Sequence, residues 1–298
     1  STGYAWLRGR VASERQFFHA CRVDHVRGYF RAFMFPWPGG ARHTEFAKYT
    51  EEEVKQRTGG RMPRYVPGPD EDPASAKMNE LQGREILATI QQEAGDMHLV
   101  AEILGEPAEY MRRTLDDLSL ANLVFPHFDR RPDRSLPPIS SLRKLSLVAY
   151  ANHDQAPLAA QYLGLRARAK SDPQGTAATD LRNLLQLIGW TEPEPEQLTD
   201  GLQEALLRTL FQTPCQLAVV MTSDLLGTAQ RFNLPGSYGA DTWCERLEFP
   251  LADYLKQPAY AKRVETVRRL IVESGRRPRT NAIPTEPVIL LPETAAAS

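Results

Sequence analysis

Five short apolar runs alternate with helix-forming segments, and this alternation constrains the fold more than any other feature of the chain. The runs lie near residues 21, 98, 121, 146 and 216. Alternating strand and helix signals predict a parallel sheet with helical crossovers, which is an α/β fold. A full (β/α)8 TIM barrel needs about eight such units and about 250 residues. The pattern therefore predicts that three strands escape detection or that the front of a barrel lies outside this chain.

Local patterns set further expectations about the elements around this sheet. An amphipathic pattern predicts a first helix over residues 4–20, with Trp6 and Phe17 or Phe18 among the residues on its apolar side. Residues 58–76 are rich in proline and glycine and predict a long excursion, and a second loop is expected over 223–243. We expect one partial barrel domain over 1–275 and a disordered tail over 276–298.

Composition narrows the class of protein. Lysine and arginine number 36 and aspartate and glutamate 37, so the net charge of -1 gives no reason to expect nucleic acid or an acidic membrane surface as a partner. Three widely spaced cysteines suggest reduced thiols in a cytoplasmic protein. No apolar run approaches the roughly 20 residues that cross a bilayer. The chain begins Ser1-Thr2-Gly3 without a methionine, and we expect its natural start to lie upstream.

Three carboxylates stand where strand-like runs end. They occur in the order Arg22-Val23-Asp24-His25, then Val100-Ala101-Glu102, then Asn152-His153-Asp154. In an α/β barrel the catalytic side chains lie at the carboxyl ends of the strands. An R-x-D, an isolated glutamate and an H-D pair in this order are typical of enzymes that cleave α-glucans with retention of configuration.

Cleavage of an acetal needs one ionised and one protonated carboxyl group on opposite sides of the sugar. Asp24 suits the nucleophile, because Arg22 lies two residues earlier on the same strand face and would hold it ionised. Glu102 follows an apolar run that could raise its pKa, which suits a general acid/base. Asp154 could bind sugar hydroxyls and favour ring distortion, and His153 could donate a hydrogen bond to the same sugar.

Four ordered motifs resemble one known family. Gly3-Tyr4-Ala5-Trp6 with residues 22–28 resembles "GYAWW…RIDHFRG" of the amylomaltases, which are the 4-alpha-glucanotransferases or disproportionating enzymes of glycoside hydrolase family 77. Residues 101–105 resemble "AEDLG" and residues 152–154 resemble "THD". Residues 224–236 resemble "QDLLG…R-N-PG". The resemblance spans roughly residues 3 to 255.

The resemblance implies a glucanotransferase on a (β/α)8 barrel, of which this chain would hold strands four to eight. It implies that Asp24 is the nucleophile, Glu102 the acid/base and Asp154 the transition-state stabiliser. It also implies substrate-binding roles for a further set of residues: Arg22, His25, His153, Asn233 and Pro235. The family uses no metal or organic cofactor. Its partners are malto-oligosaccharides or other α-1,4-glucans, and the missing N-terminal half of the barrel would complete the site.

Two alternatives stay open at this point. A retaining α-glucan hydrolase would use the same acids with water as the acceptor. Aromatic side chains near the acids would favour transfer by excluding water, and the candidates are Tyr29, Phe30, Phe33 and Trp37. A non-catalytic glucan-binding protein or truncated remnant is the other alternative, because Ile103 replaces the aspartate that the family carries after its acid/base.

Overall fold

Seven strands and eleven α-helices make up the part of the chain that the computed structural model describes, which is residues 3–37, 45, 48–103, 105–131, 133–237, 239 and 242–276. The strands are β1 (Ala20–Val23), β2 (Ala32–Met34), β3 (Arg64–Val66), β4 (His98–Ala101), β5 (Ala121–Val124), β6 (Ser146–Val148) and β7 (Leu217–Ala218). The helices are α1 (Ala5–Glu14), α2 (Arg27–Phe30), α3 (Glu51–Thr58), α4 (Pro73–Ala94), α5 (Glu109–Asp117), α6 (Leu158–Ser171), α7 (Thr176–Leu187), α8 (Asp200–Gln212), α9 (Thr222–Leu226), α10 (Leu251–Tyr254) and α11 (Pro258–Glu273). Within these ranges no helix combines the length and apolar composition needed to cross a bilayer.

The central sheet contains five parallel strands in the order β1-β4-β5-β6-β7. Each predicted strand is present, so the α/β prediction with a parallel sheet is confirmed. Among the described residues the sheet is open, with β1 at one edge and β7 at the other. Because all five strands run in the same direction, their carboxyl ends meet at one edge, which we call the acid edge.

Alternation along the strands divides the core between the two faces of the sheet. Leu99 and Ala101 of β4 pack with α4 and α5, in a cluster that includes Leu87 and Met111. The intervening Val100 lies on the opposite face, where a smaller cluster also contains Leu123, Phe125 and Ala149. Around β6, α6, α7, α8 and α11 form a third apolar cluster. Side chains of a strand alternate between faces, so position 102 continues the face of Val100.

The predicted excursion after Thr58 is an ordered hairpin arm. In it β3 pairs antiparallel with β2, and Phe33 lies opposite Tyr65. Asp70 fixes the base of this hairpin, because it pairs with Arg31 at 2.7 Å and accepts hydrogen bonds from Tyr110 Oη at 2.7 Å and Asn79 Nδ2 at 3.0 Å. Pairing between segments about thirty residues apart leaves no local signal, which is why composition alone predicted a loop.

Three other expectations need correction. The first helix ends at Glu14 rather than near residue 20, and Trp6, Phe17 and Phe18 are exposed because α1 packs mainly through Val11 and Leu7. The loop expected over 223–243 begins inside α9. The β-prone run after Cys215 forms only the two-residue β7. The predicted tail lies outside the described residues, apart from Arg276.

Candidate active site

Asp24 and Glu102 meet at the acid edge because β1 and β4 pair in register. Val23 lies opposite Ala101, so each acid directly follows the last residue of its strand. One guanidinium nitrogen, Arg22 Nη2, contacts Asp24 Oδ1 at 2.8 Å and Glu102 Oε1 at 2.6 Å. The two carboxyl oxygens share this nitrogen, so they are no more than 5.4 Å apart.

The turn after β1 also holds Glu102 in place. His25 has a left-handed backbone conformation, with φ of 45°, and its amide donates a hydrogen bond to Glu102 Oε2 at 3.1 Å. The amide of Val26 donates to the carbonyl oxygen of Glu102 at 3.0 Å. A bulky residue rarely adopts a positive φ, so the strain at His25 is explained by the contacts it makes with Glu102.

The two acids have different surroundings. The Asp24 side chain is 70% exposed, whereas that of Glu102 is only 9% exposed. A side-chain hydrogen bond with Glu102 and the positive charge of Arg22 lower the pKa of Asp24 below its usual value. Asp24 is therefore an ionised, accessible carboxylate, and the Glu102 side chain is buried beside it.

Replacing Arg22 with methionine should move the acidic limb of the kcat/KM profile to higher pH. A lowered pKa keeps Asp24 ionised as the pH falls, and removal of the guanidinium lets that pKa rise again. The pH dependence of glycosyl transfer measures this shift. Arg10→Met on exposed α1 is the matched control. An acidic limb at the same pH in the wild type and in Arg22→Met would contradict the assignment of Asp24 as the ionised group.

Asp154 lies in the loop after β6, at the same edge of the sheet. The backbone amide of Asp154 donates a hydrogen bond to Asn152 Oδ1 at 2.8 Å. Asn233 Nδ2 donates to Asp154 Oδ1 at 3.1 Å, and Arg231 Nη2 donates to the Asp154 carbonyl at 2.6 Å. His153 Nε2 lies 3.3 Å from Asp154 Oδ2. The segment after β7 thus holds the carboxylate that follows β6.

Strand spacing estimates the distance across the edge. Neighbouring strands are about 4.8 Å apart, so β4 and β6, which are separated by β5, have axes about 10 Å apart. The buried Phe125 directly follows β5, the strand between β4 and β6.

For the remaining residues with a predicted role in substrate binding, the structure gives less support. Pro235 is exposed in a turn beside Gly236, which has a φ of 80°. Trp37 is half-exposed at the end of a described segment. Of the aromatic candidates for the acceptor site, Phe30 is completely buried against Tyr110, so it packs in the core instead. The roles of Pro235 and Trp37 stay predictions.

Three residues at this edge were given no role from the sequence. Arg231 holds the backbone of Asp154, and Trp243 lies with its ring 6.0 Å from that of His153. Asp224 Oδ1 accepts a hydrogen bond from Leu158 N at 2.7 Å and so ties the segment after β7 to the start of α6. Arg231 and Trp243 could have been recognised in the sequence, because each is a large side chain in a glycine-rich loop after a strand.

Burial of Asp224 gives stability a pH dependence. The residue is 2% exposed, and desolvation raises the pKa of its carboxyl from 3.8 to about 6. A raised folded-state pKa means that the contribution of Asp224 to stability falls as the pH rises from about 4 through 6, by up to about 3 kcal/mol. We expect Asp224→Asn, which keeps the acceptor for Leu158, to escape this loss. Denaturant unfolding at pH 4 and pH 7 measures it, and a wild-type-minus-variant difference that does not change with pH would contradict it.

Comparisons with known proteins identify the family of this chain. The family model described as 4-alpha-glucanotransferase matches residues 1–252. A 4-alpha-glucanotransferase of Chlamydia pneumoniae is 22% identical over 256 residues, covering 82% of this chain and 40% of that protein. This chain therefore spans well under half the length of that relative.

Two solved structures share the fold. The amylomaltase of Streptococcus agalactiae in complex with acarbose superposes with a TM-score of 0.59 at 18% identity, over 92% of this chain and 45% of that one. The amylomaltase of Corynebacterium glutamicum gives a TM-score of 0.58 at 19% identity, over 89% and 38%. Because the family model covers most of its length, this chain belongs to the 4-alpha-glucanotransferase family, glycoside hydrolase family 77.

Proposed function

We propose that this chain carries the catalytic acids of a 4-alpha-glucanotransferase that moves α-1,4-glucan segments between malto-oligosaccharides. One observation supports this more than any other. The Asp24 and Glu102 oxygens on Arg22 Nη2 lie no more than 5.4 Å apart. Retaining glycosidases place their two carboxyl groups about 5 to 5.5 Å apart, whereas inverting enzymes leave about 6.5 to 9.5 Å for a water molecule. An upper limit of 5.4 Å lies below the inverting range and therefore favours a double displacement.

In the first displacement Asp24 attacks the anomeric carbon and forms a covalent glycosyl ester. Its low pKa keeps the carboxylate ionised, and its exposure leaves the oxygen free to reach the sugar. Glu102 donates a proton to the leaving glycosidic oxygen, so that the new chain end departs as an alcohol. Arg22 holds both groups in one geometry, which lowers the entropic cost of bringing them to the substrate.

In the second displacement the acceptor takes the place of the departed sugar. Glu102, now ionised, removes the proton from the 4-hydroxyl of the acceptor, and that oxygen attacks the anomeric carbon, so that the bond to the Asp24 oxygen breaks and Asp24 leaves as a carboxylate. Asp154 would bind hydroxyls of the sugar in the reacting position, with its orientation fixed by Asn233 and Arg231. Hydrogen bonds that strengthen in the distorted ring lower the barrier of both steps.

The proposed architecture is the C-terminal part of a (β/α)8 barrel, about strands four to eight, over residues 1–275. Five parallel strands and the likeness to two amylomaltases over less than half of their chains support this. The open edge at β1 would then be the place where preceding strands pair. An unpaired strand edge in a parallel sheet is otherwise unfavourable, because its polar backbone groups lack partners.

Incubation of the full-length protein with maltotriose tests the function. Transfer predicts that both shorter and longer malto-oligosaccharides accumulate, with little increase in reducing ends. Hydrolysis predicts only shorter products and a rise in reducing ends. A protein that binds maltotriose without converting it would contradict the enzyme assignment and would favour a non-catalytic glucan-binding protein.

A further inference from the structure

An exposed tryptophan lies close to Asp154 at the acid edge and takes no part in the two displacements. The centre of the Trp243 ring is 6.0 Å from that of the His153 ring, and His153 Nε2 lies 3.3 Å from Asp154 Oδ2. Trp243 is 60% exposed, and the side chains of His153 and Asp154 are 47% and 43% exposed. Indole, imidazole and carboxylate therefore form a continuous row that a ligand can reach from solvent, which we call the indole row.

The backbone at Trp243 is strained. Its φ is 58°, in the left-handed region that a bulky residue rarely adopts. Such a conformation costs free energy and persists only where the surrounding contacts impose it. Burial of the ring in the core does not offset this cost, because more than half of the residue is exposed. The strained backbone thus presents the indole to solvent, and strained residues of this kind concentrate at sites that bind ligands.

Hydrogen bonds within the segment after β7 hold the tryptophan in this position. Its backbone amide donates to the carbonyl oxygen of Phe232. The preceding residue, Thr242, donates through Oγ1 to Asn233 Oδ1 at 2.8 Å, and Asn233 Nδ2 donates to Asp154 Oδ1 at 3.1 Å. Asn233 therefore connects the backbone beside the indole to the carboxylate. The indole and Asp154 are held in one geometry before a ligand arrives, which lowers the entropic cost of binding.

The groups of the indole row match the two kinds of surface on a glucose unit. The hydroxyl groups of a glucopyranose ring project from its rim, where a carboxylate and an imidazole can form hydrogen bonds with them. The two faces of the ring carry C–H groups with a slight positive charge, whereas the face of an indole is negative. Indole also offers a large, flat apolar area that can cover one face of the sugar. The row therefore suits a glucose unit as its ligand.

We propose that Trp243 is a sugar-stacking residue for the glucose unit next to the one that Asp154 binds. The inference rests on the proposed function, in which Asp154 binds hydroxyls of the sugar in the reacting position. The indole adjoins His153, and His153 adjoins the carboxylate, so the indole lies one side chain further along the edge, against the next unit of the glucan. A contact with that unit adds affinity without taking part in bond cleavage, so Trp243 favours chains of two or more glucose units over a single one.

Titration calorimetry of the full-length protein with maltotriose tests the binding role of Trp243. We expect Trp243→Gly to weaken binding about tenfold and Trp243→Phe to weaken it less than about threefold, because phenylalanine keeps an aromatic face. Glycine suits the left-handed backbone, so Trp243→Gly should fold. Phe17→Ala is the matched control, because Phe17 is an exposed aromatic residue before β1, at the opposite end of that strand from Asp24. An affinity that Trp243→Gly leaves unchanged would overturn the proposal.

Fluoride release from α-glucosyl fluoride separates stacking from a structural role of Trp243. This donor has a single glucose unit, which occupies the reacting position and does not reach the indole. The rate of the first fluoride release should therefore agree within about twofold between Trp243→Gly and the wild type, while KM for maltotriose rises about tenfold. An equal loss with both donors would show that Trp243 acts by orienting Asp154 and would overturn the stacking role. A wild type that binds maltotriose but releases no fluoride would contradict the proposed function alone, and the calorimetric comparison would still decide whether Trp243 binds the sugar.

Discussion

Replacing Asp24 with asparagine is expected to lower kcat for maltotriose disproportionation by about three orders of magnitude or more, since the amide cannot form the covalent ester. Asparagine is nearly isosteric and can still accept a hydrogen bond from Arg22, which contacts Asp24 at 2.8 Å. The fold and the affinity for glucan should therefore change little. Product analysis measures the activity, and calorimetry with maltotriose measures the binding.

Asp96→Asn provides the matched control for this substitution. Asp96 is an exposed aspartate just before β4, at the opposite end of the strand from Glu102. Its replacement should leave kcat unchanged. If Asp24→Asn retained more than about a tenth of the wild-type kcat, Asp24 could not be the nucleophile.

Replacing Glu102 with glutamine should have the second largest effect, a loss of about 100- to 10,000-fold in kcat with maltotriose. Glutamine cannot protonate the departing oxygen. The reaction with an α-maltosyl fluoride donor should suffer much less in its first step, because fluoride leaves without a proton. Release of fluoride by the variant, measured with an ion-selective electrode, separates the acid function of Glu102 from a purely structural one.

The rate with the fluoride donor decides between the acid role and the structural role of Glu102. If the fluoride donor is used as slowly as maltotriose, Glu102 acts by holding Arg22 and His25 rather than by proton transfer. Glu109→Gln in the first turn of α5 is the control, because this glutamate is exposed and lies outside the acid edge. It should leave both reactions unchanged.

Sequence periodicity was sufficient to predict the five-stranded parallel sheet, but it did not predict the β2–β3 hairpin. The five parallel strands follow from short apolar runs between helices, because each strand has its own local signal. The β2–β3 pairing depends on the Asp70 contacts with Arg31, Tyr110 and Asn79, which join segments far apart in sequence. Trp6, Phe17 and Phe18 fit the apolar side of a helical pattern in the sequence, but their side chains are exposed in the structure. Local patterns do not reveal such tertiary contacts.

In the candidate site, too, some contacts were predictable from the sequence and others depend on tertiary structure. The pairing of Arg22 with Asp24 was predictable, since positions two apart on a strand share a face. The second contact of Arg22, with Glu102, depends on the register between β1 and β4, which no local pattern sets. The support of Asp154 by Arg231 depends on a loop about 80 residues away. The resemblance marked the motif that contains Arg231, but only the structure shows the bond.

The identity of the nucleophile is tested most directly by trapping the glycosyl-enzyme. A 5-fluoro-α-glucosyl fluoride forms the ester but releases it slowly, since the ring fluorine destabilises the positive charge of the transition state. After digestion, mass spectrometry should find one fluoroglucosyl group on the peptide that contains Asp24, and none in Asp24→Asn. A label on a peptide without Asp24, or turnover of maltotriose with no labelled peptide, would contradict the account.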